Sequence, residues 1–190
     1  MTLTGVSVWR AMAAGQQLPP GVGIAATPPC DPSTKPTPAR TPVGFRANAP
    51  SRAKLADAGE PGQALWLSGS VIGLRCGLIA GATVEVWQAD AKGVMDAAGM
   101  RLRGHVRTDS EGRYRVETIV PGAVGVSAPC LNLRVTVPGK ATLNTLVFLP
   151  EAVAGPANTR DKTFDSLLAM TLLDRTAVRV TASFNVILDL

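Results

Sequence analysis

One histidine, His105, and one tyrosine, Tyr114, are the only imidazole and phenol in this 190-residue chain, beside three cysteines, Cys30, Cys76 and Cys130. Any metal site built mainly from His or Tyr is excluded by that count. The cysteines form an odd set without CxxC spacing, which argues against a zinc site and against a disulfide framework. Free thiols are the expectation, with a Cys30–Cys76 bridge as the alternative. A lone strand histidine such as His105 is read first as a surface or packing residue and second as a catalyst.

Charge and composition narrow the partners. Basic residues outnumber acidic ones 19 to 14, a net +5, which permits an anionic partner without demanding one. The basic residues are scattered singly and aromatics make up only 4% of the chain, so no nucleic-acid partner is expected. Apolar residues reach 46%, enough for one real core. No run of about 18 apolar residues occurs, and residues 1–30 lack the pattern of a secretory leader. No membrane association and a cytoplasmic location follow as expectations.

The elements that must position these residues divide the chain in two. Ten of the 15 prolines fall within residues 19–61, and no regular period survives that density, so 1–62 reads as an irregular proline-rich N-terminal arm. From residue 63 to 190 the texture is β-rich. Strands are expected over 65–72, 82–89, 105–109, 113–119, 130–137, 145–149 and 178–188, a mostly β antiparallel sandwich of about seven or more strands. The segment 109–112, Asp-Ser-Glu-Gly, reads as a hairpin turn with Gly112 at positive φ. Leu167, Leu168 and Leu172 fall on one face of a short helix expected over 164–173.

Three stretches carry a resemblance: TPART (37–41) followed by Gly44 and Phe45, LWLSGSVIGLRCGLIAGATVEVWQADAKG (65–93), and RLRGHVRTDSEGRYRVETIVPG (101–122). Together with the strand at 130–137 and the segment from 143 to the C-terminus, the chain resembles the intradiol ring-cleavage dioxygenases, the family of catechol and protocatechuate dioxygenases. The resemblance implies a ferric ion held by two tyrosinates and two histidines, a hard cation that favours phenolate oxygen. Position by position, the two tyrosines fall on Met95 and Val124, and the His-x-His pair falls on Cys130 and Asn132. None of the four residue types is kept, so the expectation is a chain without metal and without any other cofactor.

What replaces the ligands is apolar in character: Met95, Val124 and, at a glutamine position of the family, Leu146. Residues 130 and 132 lie two apart on a strand and point to one side. Cys130 reads as small-hydrophobe filler or as a thiol at the site, Asn132 as a ligand contact or a backbone-satisfying amide, and Asp96 as a turn residue or an acid–base group. The catalytic candidates are therefore Asn132, Cys130, Asp96 and His105. Substrate-binding candidates are Met95, Val124, Leu146, Phe45 and Arg46; the last could grip a carboxylate or enolate. For Arg101 and Arg103, surface or salt-bridged positions are the default.

The expected function is metal-independent binding of a hydrophobic unsaturated intermediate, of polyketide, terpenoid or aromatic type, with assistance to its cyclisation, isomerisation or elimination. The alternative is a non-catalytic pseudoenzyme, a ligand carrier or a partner-stabilising subunit, with a homodimer formed through the arm. An iron enzyme using Cys130, Asp96 and His105 is disfavoured.

Overall fold

The computed structural model describes residues 34–190. Nine strands form two sheets packed face to face. Strands β1 (Ala64–Gly73), β4 (Arg113–Ile119), β8 (Arg179–Ser183), β7 (Thr171–Arg175) and β9 (Val186–Leu188) make the five-stranded sheet. Strands β3 (Arg103–Arg107), β2 (Thr83–Gln88), β5 (Cys130–Thr136) and β6 (Leu143–Phe148) make the four-stranded one. The sandwich expected from the sequence is present. Pairing is antiparallel except that β8 and β9 run parallel to β1.

Alternation assigns the faces. In β5, Leu131, Leu133 and Val135 are buried in the core between the sheets, beside Val84 and Val86 of β2 and Leu65 and Leu67 of β1. Cys130, Asn132 and Arg134 therefore lie on the outer face of the four-stranded sheet, alongside Glu85 and Trp87 of β2 and Arg103 and His105 of β3 by register.

Three local expectations are corrected. The Asp109–Gly112 turn forms, with Gly112 at φ +68° and the Asp109 carboxylate accepting from the Glu111 and Arg113 amides. Its flanking strands nevertheless belong to opposite sheets, so it is a crossover and not a hairpin. The segment expected as a helix over 164–173 holds only the 3-10 turn Ser166–Leu168 and then enters β7. Short helices stand earlier instead, α1 (Glu151–Ala154) and α2 (Ala157–Arg160). Tertiary pairing of β7 with β8 overrides the helical spacing of the leucines. Cys76, expected as a free thiol, is disulfide-bonded; Cys30, the partner weighed from the sequence, lies outside the described residues.

The described part of the arm, residues 34–62, contains no helix or strand, yet it is tied to the sandwich along its length. Thr37 donates its amide to the Ile187 carbonyl of β9, and Arg40 donates to the Asn144 carbonyl of β6. The chain then crosses the outer face of the four-stranded sheet. Beyond it, Ser51 pairs with His105 of β3 and Lys54 with Glu117 of β4, while the fully buried Leu55 drives into the core.

Candidate functional site

The arm-covered face gathers an aromatic and charged cluster. Val43 donates its amide to Asn132 Oδ1 at 3.1 Å, and Trp87 Nε1 donates to the Val43 carbonyl at 2.7 Å. Asn132 Nδ2 donates to the Trp87 carbonyl at 3.3 Å. Phe45 then meets Trp87 edge-on with ring centroids 5.7 Å apart, and the Arg134 guanidinium lies 4.6 Å from the Phe45 ring. A Cβ placed on Gly44 would lie 3.2 Å from Met95 Cε, so the Met95 side chain fills the space beside the arm.

Of the candidates named from sequence, Asn132, Met95, Phe45 and Arg46 meet here, Arg46 donating to the Ala97 carbonyl. Leu146 lies beside Asn132 on β6 by register. Val124 sits on the loop after β4 and is 44% exposed. That loop nonetheless touches the one carrying Met95, because Gly93 packs against the Ala123 backbone.

The proposed catalytic roles fare unequally. Both ends of the Asn132 amide are spent on backbone, so it serves as a clasp for the arm. Asp96 accepts from the Ala98, Gly99 and Arg101 amides, and those bonds, led by that of Gly99, hold its carboxyl below the usual range. It organises a turn and stays ionised. His105 is bonded through Nδ1 to the Ala49 carbonyl at 2.8 Å, which makes Nδ1 the protonated nitrogen and the ring a second tie to the arm.

Cys130 is largely buried, and desolvation, then the charge of Asp161, pushes its thiol up to about 11. A thiol so placed is little ionised near neutral pH, as buried structural cysteines are. At pH 8 the native chain is expected to react with a maleimide at Cys130 roughly two orders of magnitude more slowly than an ordinary thiol would, from the smaller thiolate fraction. In denaturant without reductant, peptide mapping should find the label on Cys130 and none on Cys76. Label on Cys76 would contradict the disulfide.

Sequence reasoning missed Glu85 and misplaced Arg103. Arg103 is 1% exposed, against the surface or ion-paired default, and its guanidinium stacks 5.7 Å from the Trp87 ring centroid. Glu85 is flanked in register by His105 and Arg134, and desolvation raises its pKa against the pull of Arg134, Arg103 and His105. The signal available was the alternation Thr83, Glu85, Trp87 opposite Val84 and Val86, which places a carboxylate next to an aromatic on the face the arm must cover. Arg101 follows its default, pairing with Glu60 at 2.8 Å and Asp90 at 2.9 Å.

A ferric shell of two tyrosinates and two histidines does not fit these residues. Tyr114 donates its hydroxyl to the Phe184 carbonyl at 2.7 Å, inside the sandwich, and burial raises its pKa further. His105 is committed to the arm, and among the described residues no group of three or more His, Cys, Asp or Glu is placed to hold a metal. Among those residues, too, no helix is long and apolar enough to cross a membrane.

Comparisons with known proteins place this architecture. A family profile described as Dioxygenase matches residues 38–142, more than half of the chain. Catechol 1,2-dioxygenase 2 of Acinetobacter lwoffii is 40% identical over 93 residues, covering 45% of this chain and 33% of that protein. Hydroxyquinol 1,2-dioxygenase of Corynebacterium glutamicum is 31% identical over 113 residues, 48% of this chain and 38% of that protein. The chain thus spans little more than a third of the length of these curated relatives. Among solved structures, the dioxygenase domain of a dioxygenase carbohydrate-binding protein fusion from Streptomyces sp. SirexAA-E superposes with a TM-score of 0.77 at 31% identity, over 82% of this chain and 99% of that one. The 3-chlorocatechol 1,2-dioxygenase of Rhodococcus opacus 1CP, at 20% identity and a TM-score of 0.68 over 82% and 72% of the two chains, shares the fold.

Proposed function

The chain belongs to the intradiol ring-cleavage dioxygenase family, and from that premise we propose that it works without iron, binding a hydrophobic unsaturated small molecule on the arm-covered face and assisting its isomerisation, cyclisation or elimination. The observation that carries this reading is Asn132: where the family resemblance puts a metal-binding histidine, this chain has an amide whose oxygen and nitrogen are both engaged by the backbone. The relatives named above are called catechol and hydroxyquinol dioxygenases, which supports a planar unsaturated ligand.

Phe45, Trp87, Met95 and Leu146 supply the apolar walls. Glu85, whose pKa desolvation raises, is the group placed to exchange a proton with a substrate carbon or oxygen, and Arg103 and Arg134 can hold the negative charge that develops on an enolate. A second reading, a ligand carrier without turnover, is favoured by the Val43–Asn132–Trp87 clasp and by Met95 filling the space at Gly44.

Purified protein is expected to hold far less than stoichiometric iron and to consume no oxygen with catechol, whether or not ferric iron is supplied. Stoichiometric iron by elemental analysis would overturn the reading. Incubation of chelator-treated protein with enolic and polyene substrates separates the two alternatives: turnover lost in Glu85→Gln supports catalysis, and binding without turnover supports the carrier.

A homodimer is proposed as well, to be checked by light scattering. The described arm packs on its own sandwich, so the arm need not be what joins two copies. The disulfide at Cys76 supports an oxidising compartment in place of the cytoplasm expected from the sequence.

A further inference from the structure

We infer that the ligand taken up beneath the arm carries a carboxylate or an enolate oxygen, and that Arg103 is the group that receives it; this rests on the reading that the face binds a small unsaturated molecule. Buried polar atoms without partners are rare in folded proteins and each calls for an explanation. Arg103 is 1% exposed, yet its Nε and Nη1 are buried with no hydrogen-bond partner, and so is Glu85 Oε1 on the neighbouring strand.

Several other arginines of the described chain reach a carboxylate. Arg40, Arg101 and Arg113 each meet a carboxylate. Arg115 and Arg179 each also leave a buried Nε without a partner and stack on Trp66, but they reach Glu117 and Asp174. Arg103, buried, makes no ion pair within 4 Å among the described residues, and although Glu85 attracts it, two nitrogens of its guanidinium are held out of water without a hydrogen-bond partner. Such a charge costs stability unless something pairs with it, and charge-assisted hydrogen bonds from guanidinium N–H groups to a carboxylate are the strong form of that pairing.

The surroundings select the rest of the ligand. Trp87 flanks the guanidinium and Phe45 lies against Trp87, so a planar conjugated body attached to the anion would lie along aromatic surface. Access requires the crossing segment to lift. Phe45 is 42% exposed, and the segment runs between two residues at positive φ, Gly44 at +70° and Asn48 at +65°. The firmer ties at Ser51 and Lys54 lie beyond it.

The test uses two probes of nearly equal shape, trans-cinnamate and cinnamamide, titrated calorimetrically into the full chain. Cinnamate is expected to bind the native protein about tenfold or more tightly than the amide, on the scale of a charge-assisted hydrogen bond. Arg103→Gln should bring cinnamate down to the level of cinnamamide and leave cinnamamide unchanged. Arg103→Lys, which keeps the charge and loses the guanidinium, should retain a partial preference and serves if the glutamine variant fails to fold. Arg103→Met should melt no lower than the native chain, because an unpaired cation is removed, whereas an arginine with a purely structural role would leave a less stable protein.

Equal binding of the two probes to the native chain would overturn the inference and leave the metal-independent reading in place. Binding of neither would overturn it as well. The broader reading fails separately, on stoichiometric iron or catechol cleavage.

Discussion

Gly69→Ala is expected to cost about 4 kcal/mol or more, at the severe end for a single substitution, and to lower the melting temperature by roughly 8–16 °C in a chain of this size. A methyl group at this position would lie 1.8 Å from the Phe184 carbonyl oxygen and 2.7 Å from its carbon. Both are main-chain atoms and cannot swing aside as a flexible side chain would. The same carbonyl accepts the Tyr114 hydroxyl, and the Phe184 amide donates to Ser68. Phe184 links β8 to β9, and both strands run beside β1, so the displacement would propagate into the centre of the five-stranded sheet. Gly77→Ala is the control, since nothing stands within 4 Å of the added carbon, and should melt within a degree or two of the native chain. Equal melting of the two variants by circular dichroism would show that the strand crossing is not as tight as described.

Asn132→Leu is expected to release the crossing segment of the arm while leaving the sandwich folded. The substitution keeps the volume but strips the Val43 amide of its acceptor and the Trp87 carbonyl of one donor. An orphaned backbone amide costs about 1–3 kcal/mol, comparable to what holds so short a segment in place. The Trp87 Nε1 bond to Val43 and the ties at Ser51 and Lys54 remain. Amide exchange near residue 43 should therefore accelerate by one to two orders of magnitude, while amides of β1 and β2 keep their protection. Unchanged exchange at Val43 would remove Asn132 from its role as clasp.

Much of this was open to reading along the chain. The alternation of Leu131, Leu133 and Val135 with Cys130, Asn132 and Arg134 defines both faces of β5, because a strand's period of two is an intrinsic property of extended backbone. Gly112 likewise announces its turn. What stayed hidden depends on partners distant in sequence. Leu167, Leu168 and Leu172 stand at helical spacing, yet Thr171–Arg175 becomes a strand because β8 offers it an edge. Asp109–Gly112 looks like a hairpin because nothing local says that the strands on either side join different sheets. Asn132 could be narrowed to a ligand contact or a backbone-satisfying amide, and only the arm, 89 residues away, decides between them. Arg103 looked like a surface cation because its burial is imposed by Trp87 and by the arm above it.

The route of the arm also bears on how copies of this domain avoid sticking together. Thr37 occupies the outer side of β9, Arg40 that of β6, Ser51 that of β3 and Lys54 that of β4. A single irregular strap thus caps four strand borders that would otherwise invite fibre-like stacking. Among the described residues the border left bare is that of β7, and there the register slips between Leu172 and Asp174 and charged Asp174 and Arg175 follow. A kinked, charged margin is a poor template for a foreign strand, so that last border is guarded by its own irregularity.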